Sequence, residues 1–333
     1  MTKKTTQTDS SRRQYLKAIG ATGIAAGIAG CSGNGGDGGD GGDGGDGGDG
    51  GDGGDGGDGS DYAPIGNFPP EGDTVAIGFN GPTSGALGPD GQDQEKGYDL
   101  AVQHLNNGGG LVDYWDRLSG DGIMGHEVEP TKADTAGSAD TAQDNIERMI
   151  QQDNIQFWTG GMSSTVTLAM ENVAQREKVP FMGGNSTSAS ISGENCSRYY
   201  FHPTFHAEII GMAMGDAAPS VLGEDRELFH IYIDYSYGQS NRDAARKYLT
   251  ENGPWEDAGE AAIAEGETDH SSQIQALEES GADTLYFSSF GGLAASGLSQ
   301  MRDAGLTDDI DVIIPHVSAF TLDPLGADAE GVL

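Results

Sequence analysis

Five short loops concentrate side chains able to hold a small polar molecule. They are Asn80-Gly-Pro-Thr-Ser-Gly85, Gly160-Gly-Met-Ser-Ser164, Gly183-Gly-Asn-Ser-Thr-Ser188, Asp234-Tyr-Ser-Tyr-Gly238 and Ser288-Ser-Phe-Gly-Gly292. Each mixes glycine with hydroxyl, amide or aromatic side chains, and each follows an apolar run. Hydroxyls beside the free N–H groups that open a helix form a cradle for a carboxylate, reinforced by the helix dipole. Taken singly, such loops also serve as helix caps and turns. Several of them converging on one sheet edge leave capping and binding both open. Tyr235 and Tyr237, beside Gly238 at the end of a strand, fit the wall of a cleft.

Patterns for catalysis are missing from the sequence. No serine sits in a Gly-x-Ser-x-Gly elbow, there is no His-Glu-x-x-His, and no glycine-rich loop ends in Gly-Lys-Ser or Gly-Lys-Thr. The seven histidines show no metal-ligand spacing. His202 and His206 are four apart, but Pro203 between them opposes the helix that would align them. Asp234 reads as a helix-capping or hinge carboxylate ahead of a catalytic one. Cys196 is left over beside Cys31 and reads as a quiet thiol. No metal, no cofactor and no enzymatic activity are expected.

The elements that must position these loops follow from periodicity. Strands are predicted over 74–79, 128–132, 155–159, 179–182, 228–233, 261–264, 283–287 and 310–314. Helical faces lie between them. Tyr98, Ala101, Val102 and Leu105 are spaced i, i+3, i+4, i+7; Ala142, Ile146, Met149 and Ile150 mark a second face, and Val166, Ala169, Met170 and Val173 a third. Further helices are predicted over 241–251, around Ile274 and Leu277, and over 293–304. Such alternation predicts parallel sheets covered by helices, with ligands bound outside the carboxyl ends of the strands. A less regular stretch near 184–203 divides the chain into two such units.

In their order and spacing these segments resemble the leucine/isoleucine/valine-binding type of periplasmic solute receptor. The resemblance rests on Gly81-Pro-Thr-Ser-Gly85, Leu105-Asn-Asn-Gly-Gly109, Gly160-Gly-Met-Ser-Ser164, Val179-Pro-Phe with Asn185-Ser-Thr-Ser188, Asp234-Tyr-Ser-Tyr-Gly238 and Gln300-Met-Arg-Asp-Ala-Gly-Leu306. It implies an α/β protein of the periplasmic binding protein type I class, with two doubly wound parallel-sheet lobes joined by a hinge and closing on a small ligand. Docking on the permease of an ABC transporter, with its ATPase subunits, is also implied. The implied ligand-binding residues are Ser84, Ser163, Ser164, Asn185, Thr187, Tyr235, Tyr237, Ser289 and Phe290. Of these, Ser164 and Thr187 would hold a ligand carboxylate, and Tyr237 would line the second lobe.

One departure bears on the ligand. Amino-acid-binding members place an acid after the strand matching 284–287, to pair with the ligand's ammonium, and here that position matches Leu293. An unpaired buried ammonium is costly. Either Asp234 or another acid substitutes, or the ligand lacks the ammonium and packs on Phe290, which fits the core equally well. The expected ligand is a branched-chain amino acid or a similar small polar solute: an amide, urea or an organic acid. The family also continues past the segment matching Gly326-Ala-Asp-Ala-Glu-Gly331, so a C-terminal part is expected to be missing.

The N-terminal residues speak to location. Arg12-Arg13 precede the apolar run Ala18–Gly30, about 13 residues where a membrane span needs roughly 20. Ile28-Ala-Gly-Cys31 resembles a lipobox. Residues 1–30 therefore read as a twin-arginine signal, with Cys31 as the lipidated residue. Residues 31–72 follow as a linker, with Asp at every third position from 37 to 58 and almost nothing to bury, so a disordered tether is expected. Calcium binding is disfavoured, because calcium repeats need a nine-residue period with an apolar position. The remaining divisions are 73–195 for lobe 1, 196–316 for lobe 2 and 317–333 for a return into lobe 1. The formal net charge is −36, which repels nucleic acid and anionic lipid and fits a high-salt, halophilic setting. The expectation is an extracytoplasmic solute-binding component of an ABC importer, held to the cell membrane by a lipid anchor. A ligand sensor for a signalling partner and a secreted hydrolase using Asp234 are the rival readings.

Overall fold

The computed structural model describes residues 65–115, 117–319, 321, 322 and 326. The expected export signal, the expected lipidation site Cys31 and the expected linker up to residue 64 lie outside the described residues.

Two parallel sheets carry the chain. The first contains β1 (Thr74–Gly81), β2 (Glu127–Asp134), β3 (Phe157–Gly160), β4 (Phe181–Gly183) and β5 (Tyr200–Phe201), in the order β2-β1-β3-β4-β5. The second contains β6 (Glu227–Ile233), β7 (Glu256–Ile263), β8 (Thr284–Ser288) and β9 (Asp311–Ile313), in the order β7-β6-β8-β9. Every pairing between these strands is parallel. Each sheet grows in both directions from its first strand, β1 or β6. That creates a topological switch point in each, the place where open α/β sheets leave a crevice for ligands.

Burial follows position in the sheet. Central β1, β6 and β8 are buried along almost their whole length, because helices cover both faces. Edge strands β2 and β7 are largely polar or exposed, and Pro130 of β2 sits where a lost ladder donor is tolerated. The first half carries α1 (Gly88–Asn107), α2 (Ala139–Gln151), α3 (Ser164–Glu177) and the single turn α4 (Ala189–Ser192). The second carries α5 (Ala207–Leu222), α6 (Ser236–Ala245), α7 (Ser271–Ser280) and α8 (Gly291–Asp303), with α6 running into a π-helical turn at Arg246–Glu251. In α2 the predicted face Ala142, Ile146, Met149 and Ile150 is buried, and the Ser138 hydroxyl accepts the Thr141 N–H at its start. Behind it, Trp158 stacks on Phe181 at 5.1 Å, and Tyr200 meets Phe181 edge-on at 5.0 Å.

Three of these elements are not foreseen by periodicity: the single turn α4, β5 and α5. Helix α5 hides because its apolar residues surround it and because Gly211, Gly215 and Pro219 interrupt it. The glycine at 211 serves close approach: a Cβ there would stand 2.8 Å from the Ala244 Cβ of α6. Cys196 also departs from expectation. It is not a free cysteine, against the expectation of a quiet thiol.

Candidate functional site

The carboxyl ends of every strand except β5 open on one cleft. Ser84 and Leu87 follow β1, Gly137 follows β2, Ser163 follows β3 and Asn185 follows β4. From the other half come Tyr235 and Tyr237 after β6, Glu265 after β7, Phe290 after β8 and His316 after β9. The cleft has two chambers, of about 390 Å³ and about 670 Å³ including space open to solvent, and Leu87, Tyr235 and Phe290 wall both.

The second half supplies aromatic faces. Tyr235 stacks on Tyr237 at 5.9 Å, and Tyr237 meets Phe290 nearly at right angles at 5.6 Å. The Tyr237 hydroxyl donates to the Ser289 carbonyl at 3.1 Å, which fixes the ring's tilt. Burial raises the pKa of both tyrosines, so they stay neutral.

The first half supplies small polar groups. Ser163 is the N-cap of α3 and makes no capping bond, so its hydroxyl is available to the larger chamber. The Ser84 hydroxyl instead donates to Asp134, which also accepts the N–H groups of Thr83 and Ala136 at 2.9 and 2.8 Å. Burial alone would push the Asp134 carboxyl up, and these donors together hold it below its ordinary range. Asn185 reaches His316 at 3.4 Å across the smaller chamber.

Three expected ligand residues do not line the chambers. Ser164 is fully buried and its hydroxyl accepts the Ser188 N–H at 3.3 Å. Thr187 is buried with its hydroxyl 3.5 Å from the Asn241 amide of α6, so it helps join the two halves. Ser289 contributes its carbonyl to Tyr237, while its buried hydroxyl finds no partner among the described residues. Asp234 is exposed and accepts from the Gln239 amide at 2.9 Å, outside both chambers. Leu293 lines the larger chamber.

Sequence reasoning missed Asp90, Glu265 and His316, all of which face the cleft. In sequence Asp90 is an acid in the first turn of a helix, an ordinary position for one. What puts it on the wall is the docking of α1. Gly91 lies so close to the Pro82 carbonyl that a Cβ would be 1.7 Å from the oxygen. Gln92 donates to the Thr83 carbonyl at 2.9 Å, and Gln94 to that of Gly161 at 3.5 Å.

Among the described residues no group of three or more His, Cys, Asp or Glu is placed to hold a metal ion. His202 spends both ring nitrogens locally, on the Ser186 carbonyl at 2.9 Å and the Ser192 hydroxyl at 2.6 Å.

Two parallel-sheet halves with their carboxyl edges turned to a shared cleft define the type I periplasmic binding protein fold. The sequence profile of the periplasmic binding protein family matches residues 74–333, and the chain belongs to that family. An amino acid binding protein of Pseudomonas aeruginosa is 27% identical over 233 residues, covering 70% of this chain and 58% of its own length. The Leu/Ile/Val-binding protein homolog 3 of Brucella melitensis is 24% identical, over 70% of this chain and 59% of its own. The chain thus spans about three-fifths of the length of these curated relatives. Among solved structures, a branched-chain amino acid transporter substrate binding protein from Streptococcus pneumoniae, in complex with isoleucine, superposes with a TM-score of 0.65 at 20% identity, over 78% of this chain and 70% of that one. A solute binding protein of R. palustris in complex with benzoate gives 0.63 at 22% identity, over 77% and 65%.

Proposed function

We propose that this protein is the extracytoplasmic solute-binding component of an ABC importer and is not an enzyme. The observation that carries the reading is the cleft itself, placed at the switch points of both sheets and walled by hydroxyl and amide groups, two acids and aromatic rings. Its ligand is a branched-chain amino acid or a similar small polar solute such as an amide, urea or organic acid. The ligand carboxylate sits at the start of α3, where the Ser163 hydroxyl and the free N–H groups of the first turn converge and the helix dipole favours negative charge. Tyr235, Tyr237 and Phe290 cover the apolar part from the other half. Because groups from both halves touch the ligand, it favours a closed arrangement by its differential affinity, and that form docks on the permease, which works with its ATPase subunits. Export by the twin-arginine route and a lipid anchor on Cys31 hold the receptor beside its transporter, and the acidic surface suits a high-salt medium.

Calorimetric titration at high salt against isoleucine, leucine, valine and benzoate tests this. One of them is expected to give a saturable heat with a single site. Ser163→Ala should then weaken binding by about tenfold, the size of a hydrogen bond to a charged group. Silence with every solute of the proposed class, amides and urea included, overturns the reading.

A further inference from the structure

The smaller chamber of the cleft holds a carboxylate, Asp90, with no lysine or arginine among its described lining residues. Asp90 lines the smaller chamber, is half-buried, and reaches toward the other half, where a Cβ on Gly291 would stand 3.3 Å from its Oδ2. Among the described residues no lysine or arginine lines either chamber. The burial of Asp90 is offset by His316, whose own burial favours the neutral ring, and by the uncharged Ser318 side chain. Burial correspondingly pushes the Asp90 carboxyl above its ordinary range. A half-buried acid in that state is relieved by a positive charge brought from outside. The same chamber offers the rings of Tyr235, Tyr237 and Phe290, whose faces attract cations. Of the other candidate positions, Leu293 presents no charge, Asp234 lies outside the chambers bonded to Gln239, and Glu265 lines the larger chamber but not the smaller one that holds the aromatic pair and Asp90.

We propose that Asp90 is the specificity-determining acid of the cleft and pairs with the ammonium group of the bound solute. The ligand class is thereby narrowed to small zwitterions of the α-amino-acid kind, in preference to the matching carboxylic acids. This rests on the reading of the cleft as a solute site. An acid on α1 of the first half then does the work that the family resemblance assigns to the position of Leu293 in the second. Both charged ends of the ligand are held by the first half, the carboxylate near Ser163 and the ammonium at Asp90.

The test uses pairs of probes that differ only in the ammonium: isoleucine with 3-methylpentanoate, and phenylalanine with 3-phenylpropanoate. Titrated into the full chain at neutral pH, the amino member of a pair is expected to bind about 30-fold or more tightly, as for a desolvated charge pair. Asp90→Asn should collapse that difference, Asp90→Glu should keep part of it, and adding Leu293→Glu to Asp90→Asn should restore it. Acids binding as tightly as their amino partners would overturn the role of Asp90 while leaving a solute receptor in place. So would an Asp90→Asn variant that weakens both members equally, the result expected of a helix-terminus acid or a latch between the halves. If no member of either pair binds, the zwitterion assignment falls, and the broader solute panel decides the receptor reading separately.

Discussion

Glu171 shows what one side chain can cost. It lies on α3, is 1% exposed, and among the described residues has only the Ser197 backbone N–H to offset the burial of its carboxylate. Burial pushes its pKa from 4.5 up to about 7. Tyr200 is in turn raised by its own burial and by the charge of Glu171. A folded state that holds this proton more tightly than the unfolded chain has its full contribution below about pH 4.5 and loses it as pH rises through about 7. Glu171→Gln, always neutral, should therefore stabilise the protein at pH 8 by roughly 1–3 kcal/mol and change little at pH 4. Scanning calorimetry at the two pH values checks this, and an equal shift at both would place the effect elsewhere. Neither Glu171 nor Asp90 is legible as special in sequence, since an acid on a helix is usually a solvated one. Ser163, Tyr235 and Tyr237 were legible, because strand ends and glycines announced their loops.

At the scale of elements, the 3.6-residue period revealed α2 because one face of it is buried and the other wet. It failed at α5, where Ile209 and Met212 are exposed while Gly211 between them packs on α6. A period reports a single apolar stripe, and α5 has none. Its contact with α6 depends on the missing side chain at 211. Gly211→Val should overpack that contact and destabilise the protein by about 1–3 kcal/mol, with helical circular dichroism retained at low temperature. An unchanged thermal midpoint would show that the two helices do not meet there.

At the scale of the molecule, the tether and the fold make separate demands on two sulfurs. The chain has only two cysteines, so a disulfide on Cys196 within one chain and a lipid thioether on Cys31 are alternatives. The proposed anchor predicts an exported protein that begins at Cys31 and carries the added mass of a diacylglyceryl group, read by intact mass spectrometry without reductant. A lipid-free mass lower by two hydrogens would assign Cys31 to the disulfide and remove the anchor. Several of the few cations are committed to nearby acids. Arg242 and Arg246 bridge to Glu260, and Arg226 to Asp311 at 2.5 Å. This leaves the acidic surface to be screened by salt.

The sequence by itself determined the parallel α/β class, the two sheets and the loops that form the cleft. Those depend on local patterns: buried central strands read as apolar runs, and glycine with hydroxyl residues marks the strand ends. Only the tertiary structure decided which residues of those loops face the cleft. Ser163 and Ser164 are adjacent in the chain, yet one lines the chamber and the other is sealed against Ser188. Asp90 reaches the cleft because α1 seats Gly91 on the Pro82 carbonyl, a contact across nine residues that no period encodes. Side-chain direction at a helix start turns through about 100° per residue, so the fold selects among neighbours that composition cannot tell apart.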